Sequence, residues 1–170
     1  MPTYNREGSK LRAAAKAVVS AAVATLTFSG HAAPTTVNHY NALRARNKRA
    51  ASVTTNQEKV LPCVSYQTLD GEEVVKTLGT KRVPLILLIE SSADSDDELA
   101  NDDPEANHDD LVSAVFDAIN DDATPASLSS ALSDFHVLDV IDMGELDVEA
   151  EDGRFKTAHR WDVVCANTDL

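Results

Sequence analysis

The chain contains little cysteine and few aromatic residues, the residue types that stabilise many small folds through disulfides or large buried side chains. Two of its 170 residues are cysteines, and aromatic residues make up only 5%. Two cysteines exclude a multiple-disulfide framework. Because Cys63 and Cys165 both fall in apolar runs, we interpret them as reduced core thiols rather than as a disulfide. The core has to be built mainly from Val, Leu, Ile and Ala, and a chain of this length folds without a staple or a metal.

The motifs of the common catalytic and metal sites are also missing. The six glycines are scattered, so there is no phosphate-binding loop, and neither a G-x-S-x-G elbow nor a Cys–His pairing occurs. The five histidines show no metal-ligand spacing. Asp139 and Asp142 lie three apart on a predicted strand and face opposite sides, and His159 is expected to be a core or half-buried histidine. The sequence therefore predicts no enzyme, no cofactor and no metal.

Charge is distributed unevenly along the chain, whose net charge is −13. Residues 1–60 contain nine Lys or Arg and two acids, whereas the other 110 residues contain six Lys or Arg and 26 acids. The first part therefore carries +7 and the second −20. Such a molecule attracts copies of itself or keeps two surfaces apart, while a solvated acidic face is the plainer alternative.

The positive charge is densest at Arg44, Arg46, Lys48 and Arg49. A basic cluster of this kind is able to bind nucleic acid, but no aromatic residue is interleaved with it. We therefore expect this cluster to contact an acidic neighbour or solvent.

The first 33 residues imitate a secretory signal, because basic residues precede an Ala/Val-rich run. Lys16 interrupts this run, which is too weakly apolar to span a bilayer. We predict instead an N-terminal helix from about Ser9 to Thr27, capped by Ser9 and ended by Gly30. Its predicted apolar face consists of Leu11, Ala15, Val18, Val19, Ala22 and Leu26. Residues 34–59 predict a basic extended arm, in which Val37–Leu43 forms a strand or a helix.

Apolar runs after the arm predict strands at Val60–Leu69 and Val83–Ser91, with a short strand at Glu73–Leu78 between them. Asp70 and Gly71 are a hairpin signal, so the three strands are predicted to form an antiparallel meander. The near-continuous apolar run Val83–Ser91 is typical of a central strand.

The next segment, Asp94–Asp110, is strongly acidic and predicts a solvated loop. It does not match an EF-hand, so bound calcium is not expected. A helix capped by Asp109 or Asp110 and running to about residue 120 is predicted next, and Pro125 begins a short further helix.

Two long strands around an acidic turn are predicted in Phe135–Ala166, with Gly144 and Gly153 bounding the turn. Period-two alternation assigns one face to Phe135, Val137, Asp139 and Ile141 on the first strand. On the second strand it assigns one face to Phe155, Thr157, His159, Trp161, Val163 and Cys165. A hairpin of this length is expected to overhang its domain and reach a neighbour. The predicted interface residues are Arg44, Arg46, Lys48, Arg49, Glu145, Asp147, Glu149, Glu151 and Asp152.

Together these patterns predict an α+β fold. It comprises a mostly antiparallel sheet of about four to five strands, helices packed on one face, an N-terminal helix and a long C-terminal hairpin. Residues 1–59 are interpreted as the helix and basic arm, and residues 60–170 as the core domain.

The order of elements resembles the tail terminator (tail completion) proteins of long-tailed bacteriophages. The resemblance covers roughly residues 40–166. It rests on Leu61–Tyr66, Val83–Ser91, the helical stretch 109–134, and the strand segments Phe135–Val140 and Thr157–Val164. It implies a structural virion protein that forms a homo-oligomeric ring, usually a hexamer. The ring caps the tail tube and joins it to the head or neck.

The same resemblance implies the partners and the location. The partners are other copies of the chain, the tail tube protein and the head-completion (connector) protein. DNA passes through the lumen without sequence-specific binding. The protein is assembled in the host cytoplasm into the virion tail or neck, without a membrane. Two alternatives stay open: another neck or tail component, such as a head-closure or tube protein, and a soluble acidic adaptor that binds a basic protein.

Overall fold

The computed structural model describes residues 6–28, 36–41, 59–69, 72–75, 80–95, 102–132 and 135–167. In these ranges the helices are α1 (Arg6–Val23), α2 (Pro104–Asn120) and α3 (Thr124–Ala131). The strands are β1 (Asn38–Asn41), β2 (Cys63–Thr68), β3 (Glu72–Val75), β4 (Thr80–Ser92), β5 (Phe135–Leu146) and β6 (Arg154–Asn167). The predicted α+β fold, with its N-terminal helix and long C-terminal hairpin, is confirmed.

One six-stranded sheet contains all of these strands, in the order β1-β2-β4-β6-β5, with β3 added beside β4. Strand β4 organises the sheet, because β6 pairs antiparallel with it from Thr80 to Ser92. On the other edge of β4, β2 pairs with Leu85–Glu90 and β3 with Thr80–Arg82. Since β2 and β3 both run antiparallel to β4, they lie end to end along one edge. The predicted meander was therefore wrong, and the proposed turn at Asp70–Gly71 lies outside the described residues.

The three helices pack on one face of the sheet, which we call the helix face. Its core contains Leu11 and Val19 of α1 together with Leu111 of α2, Leu87 of β4 and Trp161 of β6, all at most 1% exposed. Alternate residues of β2, β4 and β6 point into this core, as period two requires. Strand β1 pairs parallel with β2, so the segment predicted as an arm contributes a strand to the same sheet.

Both long helices begin earlier than predicted. Helix α1 starts at Arg6, so Ser9 lies inside it rather than at its cap, and α1 ends at Val23. Ala22, predicted on the apolar face, is exposed, although Leu11, Ala15 and Val19 are buried as predicted. Gly30 lies outside the described residues.

Helix α2 starts at Pro104, inside the stretch predicted as an acidic loop. Asp103 is its N-cap, since the carboxylate accepts a hydrogen bond of 3.2 Å from the amide of Ala106. Proline suits the first helical turn because an N–H group there has no partner within the helix. Asp109 and Asp110 are therefore helix residues rather than caps.

Strand β5 carries two bulges that the alternation pattern did not predict. The register with β6 shifts between Val137 and Asp139 and again between Asp142 and Gly144. The first bulge moves Val140 and Asp142 onto the helix face with Val137, opposite Val163 and Trp161. The predicted grouping of Asp139 and Ile141 with Val137 was wrong for this reason. Gly144 sits in the second bulge with φ of 99°, not at the start of the turn.

The long hairpin does not overhang the sheet. Strand β4 is as long as the part of β6 that pairs with it. The first residue of β6, Arg154, therefore lies opposite Ser92 at the end of β4. A backbone hydrogen bond of 3.0 Å from the amide of Ala93 to the carbonyl of Gly153 also ties the tip to the domain. Only the loop 147–153 continues beyond the strands.

Candidate assembly surface

The predicted interface residues fall into two groups. Arg44, Arg46, Lys48 and Arg49 lie outside the described residues. The acidic group divides further: Glu145 belongs to β5, whereas Asp147, Glu149, Glu151 and Asp152 belong to the loop 147–153, and all five are exposed.

Within the loop, Glu151 is held by the chain itself. Its carboxylate makes ion pairs with Lys156 and with Arg154, the latter at 3.6 Å from Nε. The hydrogen bond from Lys156 is the main reason why the pKa of this carboxyl lies below its usual value. The other acids of the loop, Asp147, Glu149 and Asp152, are exposed and stay predicted interface residues.

The sheet face opposite the helices, which we call the open face, holds two buried carboxylates. Asp162 of β6 is 1% exposed and accepts hydrogen bonds from Arg160, at 2.8 Å from Nε and 3.3 Å from Nη2. Arg82 of β4 approaches it at 3.8 Å. The long cationic side chains lie over the acid while their guanidinium groups reach solvent, so this buried carboxylate is paired with two cations.

The second buried carboxylate, Glu90 of β4, is 2% exposed. Its two oxygens pair with Lys59 at 2.8 Å and with Arg154 at 3.4 Å. The Cys63 thiol lies 3.6 Å from the same carboxylate. Burial first, and then the negative charge of Glu90, raise the pKa of Cys63 to about 12. Cys63 is thus an inert buried thiol, as predicted, and Cys165 is also buried and not disulfide-bonded.

A histidine on the helix face joins β5 to β6 at the second bulge. Nε2 of His159 donates a hydrogen bond to Asp142, and the imidazole packs against Phe116 and Trp161 at centroid distances of 4.5 and 4.4 Å. His159 is 6% exposed, in agreement with the predicted core or half-buried histidine. The sequence did not predict its pairing with Asp142, because only the bulges bring these residues to one face. The pKa of Asp142 lies below its usual value: desolvation raises it, but the hydrogen bonds from His159 and from the amide of Gly144 lower it by more.

A second buried histidine fixes α2 to the sheet. His108 lies between two hydroxyls, with Nδ1 2.7 Å from Ser91 Oγ and Nε2 3.0 Å from Thr157 Oγ1. Desolvation by burial lowers the pKa of His108, and the negative charge of Asp109 opposes this shift without reversing it. A serine–histidine contact also occurs in hydrolases, but Ser91 is only 5% exposed and is covered by the helix layer. The contact therefore reads as packing that orients α2.

The outer side of α2 is an acidic surface. Glu105, Asp109 and Asp117 are spaced four and eight residues apart and are all exposed, and Asp121 at the C-cap, four residues further on, is exposed as well. We call these four residues the acidic row. Neither α2 nor α3 contains Lys or Arg, whereas the adjacent α1 carries Lys10, Arg12 and Lys16.

The remaining edge of the domain, β5, is unsuited to simple strand addition. Its bulges expose Leu138 and Met143, at 55% and 47%. The amides of Val140 and Gly144 are bonded to the carboxylates of Asp139 and Asp142 rather than left open. Bulges, charges and satisfied amides protect a sheet edge from pairing with another strand.

A shallow groove of about 570 Å³ lies between α3 and the start of β5, bounded by Pro125, Ser129 and His136.

Among the described residues there is no group of three or more His, Cys, Asp or Glu side chains arranged to hold a metal ion. None of the helices in the described ranges is long and apolar enough to cross a membrane. No protein-family model matches the chain, and no curated protein matches it.

Proposed function

We propose that the protein is a structural virion protein, a tail terminator of a long-tailed bacteriophage. Copies of it form a homo-oligomeric ring, taken to be a hexamer, that caps the tail tube and joins it to the head or neck. Its partners are further copies, the tail tube protein and the head-completion (connector) protein.

The observation that supports this proposal best is the order of elements within one sheet. An N-terminal helix and a short strand precede β2–β4, two helices follow, and a long hairpin ends the described chain. This order carries the resemblance to tail terminators. The surface adds to it, since acidic side chains line α2 and the hairpin loop. In a ring around DNA such surfaces repel phosphates, so that DNA passes without being bound.

Cryo-EM of the virion that contains the protein tests the proposal. We expect density for one ring of this fold between tail tube and head. A component stacked in many rings along the tail would identify a tube protein instead. Absence of the chain from the virion, together with a monomeric state in solution, would favour a soluble acidic adaptor for a basic partner, the class that the acidic row also suits.

The basic arm gives a second test. Reversing the charges of Arg44, Arg46, Lys48 and Arg49 to Glu is expected to weaken ring or neck assembly and to leave the circular dichroism and melting of the isolated chain unchanged. The matched control keeps the positive charge at these four positions: each of the three arginines is replaced by Lys, and Lys48 is replaced by Arg. Unchanged assembly of the Glu variant would remove the arm from the interface.

A further inference from the structure

Val60 is the most exposed large apolar side chain of the described residues, at 60%, yet its backbone is held in place. Its amide donates a hydrogen bond of 3.0 Å to the hydroxyl of Tyr40, and its carbonyl accepts one of 3.3 Å from the side-chain amide of Asn38. The preceding residue, Lys59, is tied to the buried Glu90 at 2.8 Å. An apolar side chain on a backbone fixed in this way enters a contact without a further loss of backbone entropy.

Val60 lies at the edge of the sheet that β1 forms, because Asn38 and Tyr40, which hold its backbone, both belong to β1. Among the described strands, β1 and β5 are the two ends of the sheet order. The groove between α3 and the start of β5 is therefore at the edge opposite Val60. The two surfaces lie too far apart to meet within one copy.

The groove has an apolar part, which is formed by Pro125, Ala126 and Val137. Leu138, the residue after Val137, is 55% exposed and continues this apolar surface beyond the groove. The hydroxyl of Ser129 accepts a hydrogen bond of 2.8 Å from the amide of Val137 and donates one of 2.8 Å to the carbonyl of Pro125. Because these bonds hold α3 against β5, the groove is formed before anything binds in it.

The charges beside the two surfaces are opposite. Asp122 is the one acidic residue among those that line the groove, and it is exposed. At the other edge Lys16 of α1 lies close to β1. The pKa of His39 in β1 is lowered, first by burial and then by the positive charge of this lysine. Opposite charges around an apolar contact favour one orientation of the two partners.

We propose that the groove of one copy receives Val60 of a second copy. The inference rests on the proposed ring and names a contact between its subunits. Because Val60 and the groove lie at opposite edges, the contact is heterologous, and such contacts close into a ring where the rotation between copies permits. The bonded amides of Val140 and Gly144 on β5 agree with a contact made by side chains rather than by strand pairing.

Two variants of the 170-residue chain test the contact by sedimentation velocity, at a protein concentration at which the wild type is assembled. Val60→Glu places a charge on the inserted side chain, and Ala126→Glu places one in the groove. The matched controls carry the same charge nearby: Leu69→Glu, at another exposed apolar residue, and Ser127→Glu, on α3 but outside the groove lining. All four residues are exposed, and circular dichroism and thermal melting establish that each variant is folded.

Each of the two contact variants alone is expected to lose self-association by about 100-fold, because a carboxylate without a partner would be buried in an apolar contact. An equimolar mixture of the two is expected to stop at a dimer with one copy of each. In that dimer the intact Val60 of one chain enters the intact groove of the other, and the two altered surfaces remain unused. Both controls are expected to assemble as the wild type does.

Contact variants that assemble like a ring-forming wild type overturn the docking contact and leave the proposed function intact. So does a mixture that stays monomeric or regains the full ring, or a control that dissociates as much as its variant. A wild-type chain that is monomeric at all concentrations overturns the proposed function itself. If a contact variant does not fold, Val60→Ser and Ala126→Gln replace the pair. A weakening of about tenfold is then expected, and none overturns the contact.

Discussion

Because the carboxylate of Asp162 is buried, we expect removal of its partner Arg160 to lower the free energy of unfolding more than removal of the carboxylate itself. Its cationic partners are about a third or more exposed, so after Asp162→Asn their guanidinium groups remain hydrated. That change removes charge-assisted hydrogen bonds at a cost of about 1 kcal/mol. Arg160→Met instead leaves a carboxylate that is 1% exposed with Arg82 at 3.8 Å as its remaining cation. We expect this to cost about 3 kcal/mol, since a buried charge loses its hydrogen bonds.

Urea unfolding followed by circular dichroism, at one protein concentration, measures both free energies of unfolding. The combined variant Arg160→Met/Asp162→Asn should cost less than Arg160→Met alone, because the unpaired charge is gone. Equal losses for the two single variants, or a larger loss for Asp162→Asn, would show that Arg160 does not compensate the burial of this carboxylate.

Three further predictions concern the hairpin and its neighbours. Asp142→Asn should flatten the acid limb of the stability curve: the folded-state pKa of Asp142 lies below 3.8, so its contribution is present above that pH and is lost as the pH falls through the folded-state pKa. Unfolding free energies of variant and wild type that fall in parallel with pH would contradict the His159–Asp142 pair. Gly144→Ala should cost about 1–2 kcal/mol from backbone strain at positive φ, since no heavy atom lies within 4 Å of the added Cβ; an unchanged urea midpoint would mean that the bulge relaxes. Cys63, whose pKa is raised to about 12, should resist alkylation at neutral pH until the chain unfolds, and rapid labelling of the native protein would disprove its burial.

The parts of the fold that local pattern controls were predicted well. The central strand β4, the short helix after Pro125 and the core residues Trp161 and Val163 follow from apolar periodicity, which acts over a few residues. The start of α2 was missed because the acidic composition around Asp103 and Pro104 was interpreted as a loop. The same two residues are an N-cap and a first-turn proline, so the signal was present in the sequence.

What depends on pairing between distant strands was not predictable from pattern. The bulges of β5 arise from its register with β6, and they decide that Asp142 meets His159. The placement of β2 and β3 along one edge of β4 is likewise a tertiary choice between two compatible pairings. The ion pairs of the open face were not predictable for the same reason. Arg82 and Arg160 are far apart in sequence, and the pairing of β4 with β6 brings both to Asp162.

Assembly into a closed ring is the central claim, and the mass of the 170-residue chain in solution tests it most directly. Native mass spectrometry is expected to show one dominant closed oligomer, at six times the 18.3 kDa of the chain if the ring is a hexamer. A monomer at all protein concentrations, or an open series of masses without a preferred size, would contradict the account.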